Sequence, residues 1–205
     1  MAGERILVST SYLPPCGYVS ALLKAREVFI EMFETYPKQT CRNHAWICGP
    51  NGKQILSVPV NKPSGNHTLT RDVRCDNSVD WQRIHWRAIE TAYSNSPYFL
   101  YYQDYFRIHY QKKYDFLADV NSEILDTIFR LMHFQRDWSF TQTWERQPAE
   151  LTDLRLSLTA KHAIAECPPY TQTFMEKLGF FPNLSVLDVL FNLGPESPDY
   201  LLSVN

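Results

Sequence analysis

The chain of 205 residues is 44% hydrophobic and 20% charged, a globular balance with length enough to bury a sizeable core, and general disorder is excluded. Its formal net charge of −2, with no block of like charge, argues against a nucleic-acid binder, which carries a basic excess. No apolar run approaches the ~18 residues that span a bilayer, no secretory signal follows Met1, and the five cysteines form no CxxC pair, so the expectation is a cytoplasmic protein with free thiols, no membrane insertion and no bound metal.

Residues 5–9 read as a short buried strand running into Tyr12-Leu13-Pro14-Pro15-Cys16-Gly17, where two prolines and a glycine enforce a loop. A helix follows over residues 18–26, with Val19, Leu22 and Leu23 on one side, and then a second strand over residues 27–33. This β-loop-α-β opening suits a parallel pair in an α/β fold. The period then changes. Residues 41–47 and 54–60 flank Gly49-Pro50-Asn51-Gly52, and Asn-Gly is a strong hairpin signal. Alternation in the first arm puts Cys41, Asn43, Ala45 and Ile47 on one face, and Arg42, His44 and Trp46 on the other. A polar loop over residues 61–66 precedes a short strand near Val73.

From Asp76 onward the pattern turns helical. Ser78 or Asp80 caps a helix carrying Trp81, Ile84, Ala88 and Ala92 along one face. Residues 98–110 and 114–134 predict two more helices, and residues 138–144 alternate aromatic with polar side chains as a strand does. Residues 147–169 fit either strand or helix. Asn183 caps a closing helix over residues 184–193, stopped by Gly194 and Pro195. No repeat or linker divides the chain. The expected fold is one α/β domain over residues 1–205, a small mixed sheet with a parallel N-terminal β-α-β unit and a hairpin, packed by several helices.

Four constellations are candidates for chemistry. The loop after the first strand leads into a helix whose free N–H groups suit an anion, with Ser9, Thr10 and Ser11 as further donors; a plain turn is the alternative. In the segment from Tyr36 to His44, Lys38 and Arg42 bring a point charge and a fork suited to phosphate or carboxylate, and Asn43 adds an orienting amide; the alternative is a charged hairpin edge. His85 lies one turn after Trp81, on or beside a buried face, where a hydrogen-bonded core histidine and a general base or acid are both open. Finally, Ser185, Asp188 and Asn192 form a polar stripe on an otherwise apolar helix, which braces a neighbouring loop or faces a cavity.

Those same stretches resemble the WbqC-like family. The matching residues are Tyr12-Leu13-Pro14, Lys38-Gln39-Thr40-Cys41-Arg42-Asn43 and Leu56-Ser57-Val58-Pro59-Val60, then Asp80-Trp81-Gln82-Arg83-Ile84-His85, Pro97-Tyr98-Phe99 and residues 182–192. They span nearly the whole chain in order, and the length is similar to the short Bacteroides-type members. The resemblance implies a role among genes for O-antigen and other surface polysaccharides, and loosely a transferase, such as a glycine or acyl transferase acting on amino-sugars. Longer members carry a His-Gln-Pro-x-Tyr-Leu-Pro-like opening; here Ser9-Thr10-Ser11-Tyr12-Leu13-Pro14 stands, without the histidine. The opening is also similar in layout, by analogy alone, to nucleotidyltransferase-type folds, whose paired histidines are absent.

The leading expectation is a transferase that modifies a nucleotide-linked (amino-)sugar. Lys38 and Arg42 would hold phosphate, Asn43, Asn192 and the Tyr12 loop would position the substrate, His85 would move the proton and Asp188 would orient a partner. Two alternatives stay open: a nucleotide-dependent enzyme that activates an acid, and a non-catalytic binding protein of the same pathway. The sequence specifies neither cofactor nor oligomeric state.

Overall fold

The computed structural model describes residues 4–37, 40–157 and 166–204. Strand β1 (Arg5–Ser9), helix α1 (Cys16–Lys24) and strand β2 (Glu27–Glu31) form the expected parallel unit, in register from Arg5↔Glu27 to Ser9↔Glu31. Ile6, Leu7 and Val8 are all buried, which is the continuous apolar run of a parallel strand covered on both faces. The hairpin follows as β3 (His44–Gly49) and β4 (Gly52–Ser57), and a small ribbon joins β5 (Val60–Asn61) to β6 (Arg74–Cys75). Helices α2 (Trp81–Tyr93), α3 (Phe99–Arg107) and α4 (Leu117–Leu131) come next. Two short strands, β7 (Trp138–Phe140) and β8 (Thr152–Asp153), precede a single-turn helix α5 (Met175–Leu178), the closing helix α6 (Val186–Leu193) and helix α7 (Ser197–Ser203).

Among the described residues the main sheet has four strands in the order β7-β2-β1-β8, all parallel. Antiparallel strands pair in the two separate ribbons, and isolated antiparallel bridges join Pro15 to Ser185, Thr35 to Leu69 and Arg74 to Phe116. The order reverses at β1, since β2 lies on one side of it and β8 on the other. The core runs on from this sheet through α6, whose Phe191 ring meets Tyr93, Phe99 and Phe106 at 5.2–5.6 Å between centroids. Gly194 ends α6 at φ +55, and a Cβ there would lie 2.4 Å from the Tyr98 ring, so this stop admits only glycine.

Several local expectations shift. Gly49 pairs with Gly52, so the hairpin tip is Pro50-Asn51, and only Gly52 takes a positive φ, +110. On α2 the buried face is Trp81, His85, Ile89 and Ala92, while Ile84 is 55% exposed. Burying two tryptophans, Trp81 and Trp86, turns the helix away from the aliphatic side chain. Asn183 does not cap α6: Ser185 does, its Oγ accepting from Leu187 N at 3.3 Å. Asn183 takes φ +53 and serves α1 instead, its Oδ1 accepting from Gly17 N at 2.9 Å. Arg42, expected on the hairpin face opposite Cys41 and Asn43, precedes β3 and is only 1% exposed. No helix among the described residues is long and apolar enough to cross a membrane.

Candidate functional site

Four parallel strands end at one edge, and the loops that leave that edge enclose a cleft of about 580 Å³. In open α/β sheets this is the side where ligands bind, beside the strand at which the order reverses. Phe33, Glu34 and Thr35 enter the cleft from the end of β2, and Trp144 and Arg146 from beyond β7. Asp153 and Arg155 come from the end of β8, and Arg42 from the turn before β3.

The local sequence explains how these loops are held. Glu31, the last residue of β2, is buried and accepts from Phe33 N at 2.7 Å, Thr141 Oγ1 at 2.8 Å and Arg155 Nη1 at 3.0 Å. One carboxylate therefore ties together the chain leaving β2, β7 and β8. Arg155 also forks onto Asp153, with Nε to Oδ1 at 2.9 Å and Nη2 to Oδ2 at 2.7 Å, and it donates to the Arg146 carbonyl at 3.2 Å. Burial works to raise the Asp153 pKa, but the Arg155 bonds and charge outweigh it and hold the carboxyl below its ordinary value.

Arg42 forms a second ion pair. Its Nε and Nη2 lie 2.8 and 2.7 Å from Glu34 Oε1, and Nη2 donates to Ser9 Oγ at 2.5 Å. The turn that carries it is fixed from behind: Asn121 Nδ2 donates to the Arg42 carbonyl at 2.8 Å and to Thr10 Oγ1 at 3.1 Å. Tyr12 N and Ser11 Oγ both donate to the Cys41 carbonyl, at 2.9 and 3.2 Å.

The structure distributes the other nominated residues among separate clusters. Lys38 lies outside the described residues. Asn43 points back into the hairpin, donating from Nδ2 to the Val58 carbonyl at 2.9 Å. Tyr12 and His85 meet in an aromatic cluster with Trp81 and Tyr110, where the Tyr12 hydroxyl lies 2.8 Å from His85 Nδ1 and 2.9 Å from Tyr110 Oη. His85 is 4% exposed, and burial lowers its pKa to about 4, so the ring is neutral at pH 7. Neither Tyr12 nor His85 lines the cleft. Asp188 and Asn192 lie on α6, where Asp188 Oδ1 accepts from Tyr170 Oη at 2.5 Å, Gln172 Nε2 at 3.0 Å and Asn192 Nδ2 at 3.4 Å. Burial pushes the Asp188 pKa up to about 6, and those donors pull it only partly back.

The helix N-terminus after β1 is not free for an anion. Cys16 N donates to the Leu184 carbonyl at 3.0 Å and Gly17 N to Asn183. Ser9, Thr10 and Ser11 are all engaged in the bonds given above. No group of three or more His, Cys, Asp or Glu side chains among the described residues is placed to hold a metal ion. Arg155, Glu31, Glu34 and Arg146 escaped the sequence reading. A glutamate closing an apolar strand, as in Glu27-Val28-Phe29-Ile30-Glu31, is the local signal that could have pointed to this edge.

The family model described as "WbqC-like protein family" matches residues 10–166, from the end of β1 past β8, and so includes every cleft residue named above. The "Uncharacterized protein Rv1507c" of Mycobacterium tuberculosis (strain ATCC 25618 / H37Rv) is 26% identical over 224 residues, covering 95% of this chain and 96% of that protein. No solved structure matches the chain.

Proposed function

The chain belongs to the WbqC-like protein family, and from that premise we propose that it is a cytoplasmic transferase that modifies a nucleotide-linked (amino-)sugar for surface polysaccharide, with its substrate in the cleft at the carboxyl edge of the sheet. The observation that carries this reading is the cleft itself. It has the size of a small-molecule site, and it combines apolar walls with a few convergent charged groups. Trp144, 52% exposed, offers a ring face to the apolar side of a sugar or base. Arg42 and Glu34 offer polar groups held in place by their ion pair.

In this reading Tyr12, Asn43 and His85 position the Arg42 turn rather than touch substrate. Asp188 and Asn192 brace the segment packed on α6. Proton transfer is a task for a carboxylate on the cleft, Glu34 or Asp153, since His85 is buried away from it. The sealed histidine also favours a second reading, a non-catalytic protein that binds the same ligand.

A thermal-unfolding screen against nucleotide-sugars, nucleotides and free sugars tests the reading. A ligand at 100 times its Kd adds ~2.7 kcal/mol, a rise of roughly 5–10 °C at this length. Loss of that rise in Arg42→Ala at unchanged fold supports the cleft, and no rise with any nucleotide-sugar sinks the reading. Turnover of the bound ligand with an acyl or aminoacyl donor separates enzyme from binding protein.

A further inference from the structure

Resting on the reading of the cleft as a nucleotide-sugar site, we propose that its two ends have different chemistry: the Arg42–Glu34 pair receives sugar hydroxyls, and Arg146 receives the phosphate. A phosphate needs hydrogen-bond donors that are not already committed. Arg155 has at most one N–H left and no free fork, because Nε, one N–H of Nη1 and both of Nη2 are bonded to Asp153, Glu31 and the Arg146 carbonyl. Freeing them would break a buried ion pair, a cost of several kcal/mol.

At Arg42 the Nε and Nη2 donors are taken by Glu34 Oε1 and Ser9 Oγ. Neither Arg42 Nη1 nor Glu34 Oε2 bonds to any described residue. The ion pair therefore keeps one donor group and one acceptor uncommitted. A hydroxyl group both donates and accepts, so a sugar hydroxyl matches that edge. A phosphate only accepts, and there it would face the negative charge of Glu34.

Arg146 is different. Its side chain is exposed on the cleft wall and makes no hydrogen bond or ion pair with a described residue, while its carbonyl is fixed by Arg155. It is a positioned backbone carrying an uncommitted fork, which suits a phosphate.

Calorimetric titration of uridine, guanosine and thymidine diphosphates, each with and without a linked hexose, tests the assignment. Arg146→Ala should weaken every phosphate-bearing probe about tenfold, the scale of one charge-assisted contact. Glu34→Gln should weaken only the hexose conjugates, by about tenfold, and leave the free diphosphates within about twofold. Circular dichroism checks that each variant is folded. If Glu34→Gln does not fold, the unaltered protein still decides: inorganic pyrophosphate and N-acetylglucosamine should bind together. Competition between those two, an unchanged Arg146→Ala, or a Glu34→Gln that loses free diphosphates overturns the two-ended assignment while leaving the nucleotide-sugar reading standing. Failure of every probe to bind overturns both.

Discussion

At the carboxyl edge of the main sheet, buried charge meets opposite charge: Arg42 is paired with Glu34, and Arg155 with Glu31 and Asp153. On α6 the single carboxylate Asp188 meets neutral donors, tyrosine hydroxyls and two amides. Opposite charge compensates desolvation, and Asp153 accordingly sits below its ordinary pKa. Neutral donors compensate less, and Asp188 rises to about 6. In the first region the Asp153–Arg155 pair favours the charged form of both partners, as a fixed polar wall requires. The second changes charge within a mild pH range and is better suited to bracing than to holding a ligand.

Removing one partner at the sheet edge should have the largest effect. Glu31→Ala strands Arg155 without its deepest partner and should cost ~3–5 kcal/mol in urea unfolding. A loss below about 1 kcal/mol would mean that the pair is effectively solvated, and the contrast would dissolve. On the other side, Leu190→Ala should cost ~2–5 kcal/mol, because Leu190 is fully buried in α6. A change under about 0.5 kcal/mol would make that helix peripheral.

The pH dependence separates the regions further. The folded-state pKa of Asp188, about 6, lies above its ordinary 3.8, so folding favours the protonated acid. Its contribution is complete below about pH 4 and lost as pH rises through 6, at most ~3 kcal/mol. His85 has the opposite sign: its folded pKa, about 4, lies below the ordinary 6.5. Its contribution is present above about pH 6.5 and lost as pH falls toward 4, again ~3 kcal/mol at most. The two largely cancel in the wild type. Asp188→Asn should expose the histidine's slope, with stability rising from pH 4 to 6.5; a difference between variant and wild type that is flat with pH would refute the raised Asp188 pKa. The smallest effect belongs to the cleft rim, where Arg146→Ala should change stability by less than about 0.5 kcal/mol, measured by thermal unfolding.

The fold was legible where the signal is local. Period and turn chemistry located β1, α1, β2 and the hairpin, because alternation, proline and Asn-Gly act over a few residues. The cleft was less so. Arg42 was visible as a cation at a turn, but Arg155 lies in the stretch where leucines fit either strand or helix, and its partner Glu31 is 124 residues away. Nothing in the sequence announces that two such residues meet. On α2 the aliphatic pattern pointed to Ile84, and packing chose the aromatic side chains, whose larger area gains more from burial.

The bonds that close the ends of α1 bear on the order in which the chain is made. The helix comes from residues 16–24, yet Gly17 is capped by Asn183, 166 positions later, and Ser20 and Lys24 donate to the carbonyl of Val204 near the far end. During synthesis β1 and β2 leave the ribosome well before Asn183 and Val204, so the helix between them lacks those partners until residues 183–204 have been translated. Contacts of such long range fold slowly and leave apolar strands uncovered in the interval. The contacts that complete the first helix are therefore made only after residues 183–204 have emerged.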